Sequence, residues 1–285
     1  MPLPSPAERP YSDSELTLTE DTLLSLPDGP LHVVQDGPRA APALLLLHGS
    51  AASTTSWRAL VPLLTAAHRV IRIDLRGHGR SAAPAEGGYA IAEQARTVGT
   101  ALDRLGVAHA VAVGHSSGGY AATALAEVRP DLVCAVVLVN TGPSLDAFVG
   151  PDAATITPEQ WPPPDELVRA FASTGFRPGF AIPQDFVDEV RAMTFDAFAA
   201  SMRASLTYLG EGSLPDRLAK LGKPLQVVFG DQDRRWRPAS AADYRAVPGA
   251  RVDWLPGSGH TPILEDPAGT AALLLAFTAA RAGRA

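Results

Sequence analysis

Ser116 stands in the run Gly114-His115-Ser116-Ser117-Gly118-Gly119, directly after the apolar stretch Val111-Ala112-Val113. This is Gly-x-Ser-x-Gly at the end of a strand. Small residues on both flanks let the chain turn sharply from strand into helix. The turn lifts the serine hydroxyl to where a base and a substrate carbonyl both reach it. A serine hydroxyl is a weak nucleophile until an imidazole takes its proton, and the imidazole needs a carboxylate to fix its tautomer and stabilise its charged form. Two later segments offer these groups. Phe229-Gly230-Asp231-Gln232-Asp233 ends an apolar run with two acids, and Pro256-Gly257-Ser258-Gly259-His260 puts a histidine on a glycine-rich loop. The chemistry in view is nucleophilic attack on a carbonyl, with Asp231 and Asp233 both open as the acid.

The elements that must position these groups are legible as alternating patterns. Leu44-Leu45-Leu46-Leu47 precedes His48-Gly49-Ser50, and Val70-Ile71-Arg72-Ile73-Asp74 follows a helix-like segment around Trp57 to Leu64. Ala110 to Val113 leads into the serine turn, Val133 to Val139 follows the next helix, and Leu225 to Phe229 and Arg251 to Leu255 come later. Apolar runs of this length are strands buried on both faces. Alternated with helices they predict an α/β protein with a mostly parallel, doubly wound sheet. In such sheets the reactive loops gather at the carboxyl ends of the strands. His48-Gly49-Ser50, Ser116, Asp231 to Asp233 and His260 all fall at that edge.

Residues 144–212 break the alternation. They hold seven of the nine phenylalanines: Phe148, Phe171, Phe176, Phe180, Phe186, Phe195 and Phe198. Thr157-Pro158-Glu159 and Pro183-Gln184-Asp185 read as helix starts. Phe195, Phe198, Met202, Leu206 and Leu209 recur at three- and four-residue steps, which gives one apolar helix face. The expectation is a helical cap over 144–212, inserted into a core of residues 21–143 and 213–285. Residues 1–20, rich in proline, serine and acid, are expected to form a loose arm.

Composition narrows the partners. The net charge of -6 over 285 residues, with only Lys220 and Lys223 as lysines, argues against nucleic acid. No apolar stretch reaches the length of a membrane helix. The start, Met1-Pro2-Leu3-Pro4-Ser5-Pro6, has neither the basic nor the apolar region of a signal peptide, so the expected location is cytoplasmic. The one cysteine, Cys134, lies within Val133 to Val139 and is expected to be a buried strand thiol.

Five ordered segments together carry a family resemblance: Leu46-Leu47-His48-Gly49, Asp74-Leu75-Arg76-Gly77-His78-Gly79-Arg80-Ser81, the Ser116 turn, Gly230-x-x-Asp233, and Gly259-His260-x-Pro262 with Glu265-x-Pro267. Over about residues 28 to 280 the chain resembles the cap-bearing α/β-hydrolases, a family that includes esterases, lactonases, haloalkane dehalogenases and epoxide hydrolases. The resemblance implies Ser116 as nucleophile, His260 as general base and then acid, and Asp233 as the orienting carboxylate, with Asp231 its rival. It implies an oxyanion hole from the backbone N–H of Ser117 and that of Ser50, with Ala51 next. His48, His78 and His115 would shape loops, and Asp74 and Arg76 would brace one. No metal or other cofactor is implied.

Departures from subfamilies sharpen this. Dehalogenases and epoxide hydrolases carry aspartate where Ser116 stands. Cofactor-free haloperoxidases usually show Ser-Met-Gly-Gly against Ser116-Ser117-Gly118-Gly119, and carbon–carbon hydrolases usually have tryptophan in the place of Thr261. The expectation is a serine hydrolase acting on a small-molecule ester, lactone or thioester with an apolar or aromatic acyl group. A lyase, acyltransferase or cyclase using the same triad is the alternative, and a binding receptor on the same fold the third reading.

Overall fold

The computed structural model describes residues 19–84, 88–151 and 156–282. Eight strands form one sheet: β1 (Glu20–Leu26), β2 (Gly29–Asp36), β3 (Ala43–Leu47), β4 (Arg69–Ile73), β5 (Ala110–His115), β6 (Val133–Val139), β7 (Leu225–Gly230) and β8 (Arg251–Leu255). Their spatial order is β1-β2-β4-β3-β5-β6-β7-β8. β4, β3, β5, β6, β7 and β8 run parallel to one another. β2 is antiparallel to both its neighbours.

Alternation along the strands divides the core in two. Leu45, Leu47, Ala112, Val136, Leu138, Val227 and Phe229 face one layer. Leu44, Leu46, Val111, Val113, Val137, Val139 and Val228 face the other. Helices α1 (Ile91–Arg104) and α2 (Gly118–Val128) cover the first face, with Val98 and Leu102 of α1 and Ala121 and Leu125 of α2 packed into it. Each fully buried Val or Leu side chain contributes about 1.5–3 kcal/mol. A one-residue slip would therefore forfeit several such terms in every strand, and register is strongly specified.

Helices α3 (Asp165–Ala172), α4 (Gln184–Ala192) and α5 (Phe195–Gly210) lie between β6 and β7 in the chain, where the helical cap was expected. α6 (Leu214–Leu221) then leads back to the sheet. It starts at Ser213, whose Oγ accepts from the Asp216 N–H at 3.3 Å, and ends at Gly222 in the left-handed conformation. After β8 come the short α7 (Pro262–Glu265) and α8 (Pro267–Ala282), which packs Leu274 and Phe277 against the second face. Among the described residues no helix is long and apolar enough to cross a membrane.

Four local readings change. The β1–β2 hairpin has no counterpart in the strand runs above. β1 lies at the sheet edge with Leu23 exposed, and β2 buries polar residues instead of a continuous apolar run. Gln35 is met by Arg69, and Asp36 pairs with Arg72 at 2.7 Å. Glu20, assigned to the loose arm, opens β1, and the rest of that arm up to residue 18 lies outside the described residues. The segment around Trp57 to Leu64 is not one helix but two 3₁₀ turns, Thr54–Trp57 and Val61–Leu63, with Pro62 in the second. Cys134 is exposed, not buried. Val133 pairs with Ala110 and Ala135 with Val111, so Cys134 is the extra residue of a bulge at the start of β6, and its side chain is turned out of the strand's alternation.

Candidate active site

β5 delivers Ser116 into a backbone conformation with φ 53°. A non-glycine residue there carries strain of about 1–3 kcal/mol, held in place by surrounding bonds. The Ser116 N–H donates to the Val139 carbonyl at 2.9 Å, and the Ser116 carbonyl accepts from Thr141 Oγ1 at 2.9 Å. The flanking glycines are required by contact. A Cβ on Gly118 would lie 2.2 Å from the Leu47 carbonyl oxygen, and one on Gly114 2.3 Å from that of Gly118. α2 therefore starts against the end of β3, and the serine stands at the carboxyl edge of the sheet.

The structure brings Ser116, His260 and Asp233 into one chain of hydrogen bonds. Ser116 Oγ lies 2.9 Å from His260 Nε2, and His260 Nδ1 lies 2.9 Å from Asp233 Oδ2. Asp233 is buried. Its Oδ1 accepts from the N–H groups of Arg235 and Trp236 at 2.7 and 3.1 Å, and Oδ2 also accepts from Asn140 Nδ2 at 2.8 Å. Burial works against its charge, but the charge and hydrogen bond of His260, with these donors, hold the carboxyl below its ordinary value. Asp231 is elsewhere: exposed, and accepting from the Gly257 N–H at 2.7 Å. It shapes the loop that carries His260 and does not touch the imidazole.

Two supporting residues had no role assigned from the sequence. Asn140, fully buried just past β6, reaches Asp233, the Gly259 carbonyl at 3.1 Å and the Gly230 N–H at 3.2 Å. A lone amide after seven strand residues was its only signal. Glu265 was seen only as part of a motif. Its carboxylate accepts from the N–H groups of Gly259 at 3.0 Å, Thr261 at 2.9 Å and Arg177 at 2.8 Å. Both flanks of His260 are thereby fixed, and the segment before α4 is pinned to the same carboxylate.

Ser50 and Ser117 face each other beside Ser116, their hydroxyls 2.8 Å apart. Among the described residues neither backbone N–H has a protein acceptor, and the Ala51 N–H is equally free. Gly49 packs so closely that a Cβ on it would meet Ser116 Cβ at 3.1 Å.

Four other histidines, His48, His115, His78 and His32, are taken up by contacts within the fold. His48 donates from Nδ1 to the Gly49 carbonyl at 2.8 Å and accepts at Nε2 from the Leu75 N–H at 2.9 Å. His115 bonds through Nε2 to the His260 carbonyl at 2.8 Å. Burial pulls both His115 and His78 down to about 3, which keeps them neutral. His32, which has no supporting pattern in the sequence, lies between Asp74 at 2.6 Å and Asp21 at 3.0 Å. The Asp74 bond raises its pKa above the ordinary value against the effect of burial. Burial opposes the charge of Asp74 too. The His32 bond, with the Arg80 and Thr54 N–H donors, nonetheless lowers Asp74 to about 2. Asp74 thus braces the loop that follows the Ser50 turn. Among the described residues no group of three or more His, Cys, Asp or Glu side chains could hold a metal ion.

Above Ser116 opens a cavity of about 730 Å³. Its walls come mainly from the segment between β6 and β7. Every phenylalanine of that segment except Phe180 lines it, as do Trp161 and Trp236. Tyr208 does not. Its ring packs in the core and its hydroxyl donates to Glu127 at 2.9 Å.

The profile of the "Alpha/beta hydrolase family" matches residues 44–273. The chain belongs to that family. A Bacillus subtilis protein provisionally named as a 2-succinyl-6-hydroxy-2,4-cyclohexadiene-1-carboxylate synthase is 28% identical over 86% of this chain and 93% of its own length. The magnesium-chelatase 30 kDa subunit of Rhodobacter capsulatus is 30% identical over 80% of this chain and 84% of its own. Among solved structures, a hydrolase from Pseudomonas aeruginosa superposes with a TM-score of 0.75 at 27% identity, covering 90% of this chain and 98% of its own. These likenesses agree with the α/β-hydrolase sheet and its helical insertion.

Proposed function

We propose that this α/β-hydrolase is a serine hydrolase that cleaves a carboxylic ester, lactone or thioester through an acyl-enzyme on Ser116. The observation that carries the reading is the unbroken relay Ser116–His260–Asp233 at the floor of an apolar cavity. His260 Nε2 accepts the hydroxyl proton as Ser116 Oγ attacks the carbonyl, and Asp233 stabilises the imidazolium. The developing oxyanion takes the free N–H groups of Ser50 and Ser117. Donors of this kind contribute about 2.7–4 kcal/mol each to the transition state. His260 then protonates the leaving group, and water drawn through the same imidazole releases the acyl chain. Residues 144–212 act as a cap over a core of residues 21–143 and 213–285, and the aromatic walls favour an apolar or aromatic acyl group.

A fluorophosphonate probe is expected to label Ser116, and Ser116→Ala to abolish release of p-nitrophenol from a short ester while the circular dichroism spectrum persists. Retained turnover in that variant would overturn the reading. The synthase name of the Bacillus subtilis relative favours one second reading, a non-hydrolytic reaction on the same triad. Hydrolysis in ¹⁸O-water distinguishes the two, because label must enter the acid product only if water is the acceptor.

A further inference from the structure

Arg235 lies in the cavity wall, and among the described residues no anion meets it. Its backbone N–H is tied to Asp233 Oδ1 at 2.7 Å, which fixes where the side chain leaves the loop after β7. The guanidinium carbon sits 4.6 Å from the centre of the Phe171 ring in α3, and Nη2 donates to the Phe171 carbonyl at 3.0 Å. Gly150 presses on the stem, where a Cβ would come within 2.9 Å of Arg235 Cδ. The group is thus held between the β7 loop and the inserted helices, ordered in advance of any ligand.

Its hydrogen-bonding capacity is largely unspent. Among the described residues the buried Nε has no partner and Nη1 no acceptor. No carboxylate among the described residues lies within ion-pair distance of Arg235. Asp233, the nearby acid, uses its oxygens on His260, Asn140 and two backbone N–H groups. Among the described residues the cavity lining includes no Asp or Glu, and the other cation there, Arg203, is exposed. Burial pulls the Arg235 guanidinium down to about 10, partly offset by Asp233, so it is charged at neutral pH. Arg235 is half-buried, and its buried, unpartnered Nε is costly until an acceptor completes it. The planar fork of arginine matches a carboxylate.

We propose that Arg235 binds a carboxylate carried by the substrate, whose acyl part is an apolar chain or ring ending in that second, free acid group. One cation held in place within a largely apolar wall, with Arg203 exposed, suits a monoanion. This rests on the serine-hydrolase reading for the identity of the reacting carbonyl, but the anion site itself does not.

The test pairs mono-p-nitrophenyl suberate with its ω-amide, which has the same length and no charge. Wild-type kcat/KM is expected to favour the carboxylate ester by roughly 10- to 100-fold. Arg235→Met is expected to erase that preference and Arg235→Lys to keep part of it. Equal wild-type turnover of the two esters, or an Arg235→Met variant that lowers both alike, would overturn the proposal. Calorimetric titration of Ser116→Ala with 3-phenylpropanoate and 3-phenylpropanamide reads the anion site without turnover. The carboxylate is expected to bind at least roughly 10-fold more tightly, and the difference to vanish in Ser116→Ala/Arg235→Met. Equal binding of the two would overturn the Arg235 assignment. Absent ester turnover with the binding preference intact would overturn the serine-hydrolase reading and leave the anion site standing.

Discussion

Replacing Glu265 by glutamine tests whether the His260 loop is held in the way the structure requires. Glu265 is buried and its carboxylate takes three backbone N–H donors. Oε2 serves Gly259 and Arg177, and Oε1 serves Thr261. Glutamine keeps one oxygen and turns the other into an NH₂ that faces a donor. In its better orientation the oxygen keeps Gly259 and Arg177 and the amide opposes the Thr261 N–H. One bond is then lost and two lose their charge assistance. Hydrogen bonds to charged groups contribute about 1.5–3 kcal/mol each, and an unpaired buried donor costs about 1–3. About 1 kcal/mol for each weakened bond and about 1–3 for the unpaired donor predict a loss of about 3–5 kcal/mol, or roughly 5–10 °C in Tm for a chain of this size. The activity should fall further than the stability suggests, because Gly259 and Thr261 flank His260. Misplacing a catalytic group by about 1 Å costs on the order of 100-fold. Differential scanning calorimetry and kcat/KM on a p-nitrophenyl ester measure the two effects. A Glu265→Gln protein with wild-type Tm and wild-type turnover would refute the reasoning, since the three donors would then have found other partners at no cost.

Other perturbations separate the remaining parts of the site. Asp233→Asn keeps the shape but donates to or releases His260 Nδ1, and is expected to lower kcat by roughly 10³- to 10⁴-fold with little change in KM. Steady-state kinetics check it, and a drop under tenfold would remove Asp233 from the relay. Asp74 is held at about 2 against an ordinary 3.8. Its charge therefore stabilises the fold fully above pH 3.8 and loses that contribution, about 2 kcal/mol, as pH falls toward 2. Asp74→Asn should be less stable at pH 7 and show a flatter urea-unfolding profile between pH 4 and 2, and an unchanged slope would contradict the assignment. Because φ at Ser116 is 53°, Ser116→Gly should be more stable than Ser116→Ala by about 1 kcal/mol, although both are expected to be inactive. Equal unfolding midpoints would show that the serine turn is unstrained.

The parts of the site that sequence made visible share one property: they depend on local pattern. Apolar runs such as Leu44 to Leu47 and Val133 to Val139 could only be strands buried on both faces, so the sheet and its reactive edge followed. Ser116 and His260 were legible because a sharp strand-to-helix turn and a glycine-rich loop at that edge have recognisable compositions. The β1–β2 hairpin was hidden because its buried positions are polar and become tolerable only through partners such as Arg69 and Arg72. Cys134 misled for a related reason. Its neighbours are apolar, but a bulge, which depends on how β5 and β6 align, reverses the direction of its side chain.

By itself, then, the chain determined its α/β class, the order of the reactive segments and the residue types at Ser116, Asp233 and His260, since each is written in contiguous residues. Only the tertiary structure decided which acid meets the imidazole. Asp231 and Asp233 are two residues apart, and their roles separate because Asn140 from another strand end reaches one of them. It also decided that Glu265 holds the His260 loop and that Arg235 faces the cavity with no anion among the described residues. Those properties arise from atoms brought together across distant parts of the chain, and burial gives each of them its energetic weight.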